Sequence, residues 1–124
     1  MKVLLVDDEP ELVSALAERL SLRNIEADWI TSGQEAIQMV ETKTYDIAVL
    51  DVKMPNIGGL GLKKILQEKC PGMKFIFLTG HGSESDFEKA AAEIGSDYYL
   101  VKPVSLETLM EKMKKALSEK EGSS

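Results

Sequence analysis

One cysteine, Cys70, in 124 residues excludes an internal disulfide and agrees with a reducing compartment. Standing before Pro71, it reads as a helix-end residue. Bases are outnumbered: 15 Lys and Arg against 21 Asp and Glu leave a net charge of −6. Nonspecific binding to nucleic acid needs a basic face, so this stretch is expected to make no direct nucleic-acid contact. Long hydrophobic runs are missing too. The apolar residues, 44% of the chain, fall in runs of four to six, far short of the ~20 that cross a bilayer, and no membrane contact is expected. Only four apolar residues lie between Lys2 and Asp7, too few for the apolar region of a secretory signal. The expected location is the cytoplasm, and the expected partner of so acidic a chain is a cation or a protein.

What is present is regular. Apolar runs recur at Val3–Val6, Ile25–Ile30, Ile47–Leu50, Phe75–Leu78 and Tyr98–Val101. Four are nearly continuous, as parallel strands covered on both faces are; "IEADWI" alternates and belongs toward an edge. Between the runs lie stripes at helical spacing: Val13, Leu16, Ala17 and Leu20; Phe87, Ala90, Ala91 and Ile94; Leu106, Leu109, Met110, Met113 and Leu117. Pro10 suits a first helical turn, "SGQE" at Ser32–Glu35 has the form of a capping box, and Ser105 can cap the last helix. Strand and helix thus alternate five times, which predicts a doubly wound, mostly parallel α/β sandwich. The expected extent is one domain over residues 1–118, with a polar tail, linker stub or cloning scar over 119–124.

The acids fall where such a sheet keeps its chemistry, outside the carboxyl ends of the strands. Asp7 and Asp8 follow the first strand, Asp51 ends the third, Thr79 the fourth and Lys102 the fifth. A single polar residue there would read as a turn former; a set at four ends reads as a site. With the first and third strands as neighbours, three carboxylates within about 5 Å would repel by roughly 3 kcal/mol per pair at an effective dielectric of 20. A domain is stable by only about 5–15 kcal/mol, so the cluster demands a raised pKa, Lys102 or a bound cation. Oxygen donors with no histidine or thiol favour a hard ion, Mg²⁺ above all. The same carboxylates argue against a flavin phosphate after the first strand. A carboxylate beside Mg²⁺, with a lysine and a hydroxyl to meet spare phosphoryl oxygens, suits phosphoryl transfer onto the carboxylate itself. Asp51, single and ending a buried strand, is the candidate nucleophile; Lys102 would pair with the phosphoryl charge and Thr79 would donate a hydrogen bond.

"LLVDDEP", "AVLDVKMPNIGG", "FIFLTGHG" and "DYYLVKP" resemble, in order and spacing, the motifs of the response-regulator receiver family of two-component signalling, over residues 2–118. The resemblance implies a CheY-like, flavodoxin-like (βα)₅ fold of strand order 2-1-3-4-5 and a phospho-acceptor at Asp51. It also implies Mg²⁺ held by Asp8, Asp51 and the backbone carbonyl of Lys53, with Asp7 acting through water. A sensor histidine kinase, or a small donor such as acetyl phosphate, would supply the phosphoryl group. Thr79 and Tyr99 would then be switch residues, remodelling the face formed by helix 4, strand 5 and helix 5 toward an output domain or protein; a phosphorylation-dependent homodimer is a further implied partner. Tyr99 has a plainer reading, a strand residue half in the core. By the same resemblance Lys102–Pro103 is a cis bond, and Lys53 and His81 sit where side chains modulate phosphoryl lifetime, although a lone loop histidine is more often a solvated bystander. Leu12, off the first helix's stripe, suits kinase docking or burial at the stripe's edge. "NIGGLGL" predicts positive φ at Gly58 or Gly59. "TGHGS" and the lysine-rich last helix look most like the N-terminal receiver of an NtrC-type transcription activator, which precedes an ATPase and a DNA-binding region; a stand-alone receiver, acting by protein contact alone, is the open alternative.

Two other classes compete. A Mg²⁺-dependent phosphatase with an aspartyl-phosphate intermediate would place its nucleophile after the first strand, with a second acid two residues on and a substrate cap; "VDDEP" has adjacent acids and no cap-sized insertion. A degenerate receiver serving only as a binding module would have lost some motif residues, and every one is filled here.

Overall fold

The computed structural model describes residues 1–80, 88, 92 and 98–119. Five strands, β1 (Lys2–Val6), β2 (Glu26–Ile30), β3 (Ile47–Asp51), β4 (Lys74–Thr79) and β5 (Tyr99–Val101), form one parallel sheet of order β2-β1-β3-β4-β5. Helices α1 (Pro10–Ser21), α2 (Gly33–Thr42), α3 (Gly59–Lys69) and a last helix (Leu106–Ser118) cover it. Phe87, Ala90, Ala91 and Ile94, predicted to share a helical stripe, lie outside the described residues, as does His81.

Alternate strand residues sort to two apolar layers, because successive side chains of a strand point to opposite faces. Val3, Leu5, Val49, Ile76, Leu78 and Leu100 pack with α1 and the last helix. Leu4, Val6, Leu50, Phe77 and Tyr99 pack with residues of α2 and α3 on the other face. β3 is buried along its whole length, and β2, at the edge, is not. That difference is the reason one run alternates while the others are continuous.

Local signals at the helix ends hold in the structure. Pro10 opens α1. Ser32 Oγ accepts from the Glu35 N–H at 3.2 Å and donates to Glu35 Oε1, so the carboxylate meets the hydroxyl and not the Ser32 amide. Ser105 Oγ accepts from the Thr108 N–H at 3.1 Å. Three expectations are corrected. β2 begins at Glu26, because the Ile25 N–H closes α1 by donating to the Leu20 carbonyl, after a left-handed Asn24. In the last helix Ala116 is buried and Leu117 is 38% exposed, so the buried face runs through Leu106, Leu109, Met113 and Ala116, with Met110 partly buried beside it.

The third correction bears on the site. Neither Gly58 nor Gly59 has positive φ; Gly58 lies at φ −78 and the left-handed residue is Asn56, at φ 70. Asn56 is the centre of a tight turn in which the Ile57 N–H donates to the Pro55 carbonyl at 2.8 Å, a geometry that asparagine tolerates better than most residues. The glycines are needed for close approach instead. A Cβ on Gly58 would stand 2.8 Å from the Val52 carbonyl oxygen, and one on Gly59 would collide with the carbonyl oxygen of Asp51. The start of α3 is thereby pressed against the backbone that carries Asp51.

Candidate functional site

The chain leaves β1 toward β2 on one side and, after α2, returns to place β3 on the other, so the sheet changes winding direction between β1 and β3. A crevice outside the carboxyl ends forms at such a point. Val6 pairs with Leu50, and the next residues, Asp7 and Asp51, therefore stand side by side. Oxygens of Asp7, Asp8 and Asp51 all lie within 4.8 Å of one another. Asp7 and Asp51 are buried and Asp8 is exposed.

Backbone amides orient the two buried acids. The Glu9 N–H donates to Asp7 Oδ1 at 3.0 Å and the Lys53 N–H to Asp51 Oδ1 at 3.2 Å. Lys102 arrives from the end of β5, where its N–H donates to the Thr79 carbonyl at 2.8 Å, and the Lys102–Pro103 bond that follows is cis. Its ammonium lies 2.7 Å from Asp7 Oδ2, 3.2 Å from Glu9 Oε1 and 3.6 Å from Asp51 Oδ2. Thr79 is buried at the end of β4, one residue past the pairing of Leu78 with Asp51. Tyr99 is buried too, packed in the layer that holds Phe77 and Leu50, which is deeper than a half-buried strand residue.

Among the described residues, the Lys102 ammonium does not by itself balance the carboxylates of Asp7, Asp8, Glu9 and Asp51. Burial, and then the charge of Asp7, push the Asp51 carboxyl up to about 6; Asp8 adds to this, while Lys102 and the Lys53 N–H oppose it. Burial also raises Asp7 against the pull of Lys102 and the Glu9 N–H. For Lys102 burial acts downward, yet the hydrogen bond and charge of Asp7, with Asp51 and Glu9, outweigh it and the group is raised. Three oxygen donors at this spacing, short of positive charge, fit a hard divalent cation and would not suit a soft one.

Glu9 was not singled out from the sequence as a residue of the site, although it closes the acidic run after β1. A second polar group lies at the opposite, amino end of the sheet. There Tyr45 Oη donates to Asp28 Oδ2 at 2.6 Å and Lys43 Nζ to the same oxygen at 3.3 Å, beside a surface cavity of about 320 Å³ that Lys2 and Glu26 also line.

Residues 3–114 match the family model described as response regulator receiver domain. The chain belongs to that family. The positive alginate biosynthesis regulatory protein of Pseudomonas aeruginosa is 35% identical over 119 residues, which are 94% of this chain and 47% of that protein. The transcriptional regulatory protein GlrR of Escherichia coli is 33% identical over 94% of this chain and 26% of its own length. The receiver thus spans half or less of these relatives. Among solved structures, a CheY-like receiver domain protein from Methanospirillum hungatei superposes with a TM-score of 0.85 at 28% identity, covering 94% of this chain and 93% of that one. A response regulator of Burkholderia pseudomallei, solved with a phosphorylated aspartic acid, a calcium ion and citrate, gives 0.82 at 25% identity over 94% of this chain and 68% of that one. The protein is therefore a receiver domain of a two-component response regulator. Among the described residues no helix is long and apolar enough to cross a membrane.

Proposed function

We propose that this receiver accepts a phosphoryl group on Asp51 from the phosphohistidine of a sensor kinase, with Mg²⁺ held by Asp8, Asp51 and the Lys53 carbonyl and by Asp7 through water. The observation that carries the reading is the convergence of Asp51 with Asp7 and Asp8 on one point, with Lys102 beside them. With its pKa near 6, Asp51 is mostly ionised at neutral pH and so able to attack. Its free oxygen forms the new bond to phosphorus as the bond from phosphorus to the donor nitrogen breaks, and the imidazole leaves with that electron pair. When bound, Mg²⁺ supplies charge neutralisation for the transferring phosphoryl oxygens. Asp7 holds Lys102 at the rim of the site, the Lys53 N–H fixes one Asp51 oxygen so that the other faces the donor, and Lys102 meets the added negative charge. The phosphorylated aspartic acid of the Burkholderia response regulator supports an aspartate as the acceptor.

In this reading Thr79 donates to the phosphoryl group and Tyr99 is the second switch residue, biasing the face shared by the segment predicted to carry the Phe87, Ala90, Ala91 and Ile94 stripe, β5 and the last helix toward an output partner, which includes a second copy of the receiver. The Lys53 and His81 side chains set the phosphoryl lifetime. Because relatives such as GlrR are longer transcriptional regulatory proteins, the output in this reading is control of transcription by a larger cytoplasmic protein, with this domain as its phosphorylation-sensitive unit. Incubation with acetyl phosphate and Mg²⁺ is expected to add one phosphoryl group by intact mass, labile as an acyl phosphate is, and none to Asp51→Asn. Full labelling of that variant would reject Asp51; no labelling of the wild type with or without a kinase would reject the function.

A further inference from the structure

We propose that Glu9 is a positioning residue for Lys102: it holds the ammonium on the Asp7 side of the site, and Lys102 must leave it to reach a phosphoryl group on Asp51. The proposal rests on the reading of Asp51 as phospho-acceptor. Glu9 occupies the N-cap position of α1, with extended backbone, and its side chain makes no cap hydrogen bond. An N-cap serine, threonine, aspartate or asparagine would satisfy one of the free N–H groups there and contribute about 1 kcal/mol. Glutamate, one methylene longer than aspartate, instead reaches Lys102 Nζ, 93 residues away in sequence, at 3.2 Å.

The geometry makes Glu9 a competitor. An ammonium has three donors and no acceptor, and Lys102 faces three carboxylates, with Asp51 the most distant at 3.6 Å. Glu9 is anchored from both sides: its N–H is bonded to Asp7 and its neighbour Pro10 begins the helix. Its carboxylate, however, sits at the rim. The Glu9 side chain is 60% exposed and that of Lys102 only 12%. Water can therefore replace Lys102 at Glu9 at small cost, whereas Asp7, 2% exposed at its side chain, has no such substitute. When Asp51 gains the phosphoryl group, Lys102 exchanges Glu9 for a phosphoryl oxygen; no covalent bond of Glu9 or Lys102 changes. The resting state is held back by the contact that must be given up.

The test compares wild type, Glu9→Gln and Glu9→Asp for the second-order rate of labelling by acetyl phosphate at saturating Mg²⁺. Glu9→Gln keeps the size and loses the charge, and is expected to label about two- to fivefold faster, the range for a partly exposed ion pair. Glu9→Asp keeps the charge but falls a methylene short of Lys102, and is expected to follow Glu9→Gln. In a Lys102→Met background Glu9→Gln is expected to change nothing, since the effect passes through Lys102. A readout free of metal and donor is the ¹H–¹⁵N resonance of the Lys102 ammonium, expected to shift in Glu9→Gln. Unchanged or slower labelling in Glu9→Gln, an effect that persists without Lys102, or an unmoved ammonium resonance would each overturn the proposal. A wild type that takes no phosphoryl group would instead overturn the function, and the ammonium resonance would still decide whether Glu9 holds Lys102.

Discussion

Replacing Asp51 by asparagine tests the electrostatics of the site without any donor or metal. The amide oxygen can still accept from the Lys53 N–H, so the change removes charge and little else. The folded carboxyl stands at about 6 against an ordinary 3.8, chiefly through burial and the charge of Asp7. A carboxyl raised in the folded state holds its proton there after the unfolded chain has lost it. Below about pH 4 the group is neutral in both states and costs nothing; the cost grows as pH rises through 4 to 6 and is complete above that. At about 1.4 kcal/mol per pH unit it comes to roughly 3 kcal/mol at pH 8 and about half of that at pH 5. Water at the mouth of the site screens the Asp51 charge, so these figures are upper values. Urea unfolding in a chelating buffer is therefore expected to find Asp51→Asn more stable than wild type, by up to about 3 kcal/mol at pH 8 and half that at pH 5. A variant no more stable at pH 8, or a gain equal at the two pH values, would refute the argument, because packing does not titrate in this window.

Gly59→Ala sets a methyl group against the Asp51 carbonyl oxygen and is expected to cost about 1–3 kcal/mol in urea unfolding and to slow labelling of Asp51. Ser105→Ala removes the bond to the Thr108 N–H and is expected to lower stability by about 1 kcal/mol, with labelling unchanged. Leu109→Ala, at a position with no solvent exposure, is expected to cost about 2–5 kcal/mol by the same unfolding measurement. Tyr45→Phe deletes the hydroxyl that, ahead of Lys43, holds the Asp28 carboxyl below its ordinary value; an NMR titration of Asp28 is expected to show that value rise, with about 1 kcal/mol of stability lost.

The alternation of strand and helix, the edge place of "IEADWI" and the caps at Pro10, Ser32 and Ser105 were legible in the chain because each depends on neighbours within a few residues; the strand order 2-1-3-4-5 was implied only by the resemblance to the receiver family. Two-faced burial writes a continuous apolar run, a half-covered edge writes an alternating one, and a helix start writes a proline or a hydroxyl. The placing of acids, a threonine and a lysine at four strand ends was legible for the same reason, once the sheet was known to be parallel. Glycine misled where the turn after Asp51 was concerned. Composition names glycine as the residue of left-handed backbone, but Asn56 takes that conformation and Gly58 and Gly59 serve the close approach of α3 to β3. Nothing local distinguishes the two uses. Leu117 misled in a similar way, since its helical spacing fits the stripe and only the position of the sheet shows that Ala116 faces it.

By itself, then, the sequence determined the alternation of elements and the end of the sheet at which the polar residues gather, both of which follow from backbone periodicity. Tertiary structure alone decided the reach of Glu9 to Lys102, the depth of Tyr99 and the rise of the Asp51 pKa. Each of these is set by distances between segments far apart in the chain, and electrostatic and packing energies depend on those distances, not on order along the sequence.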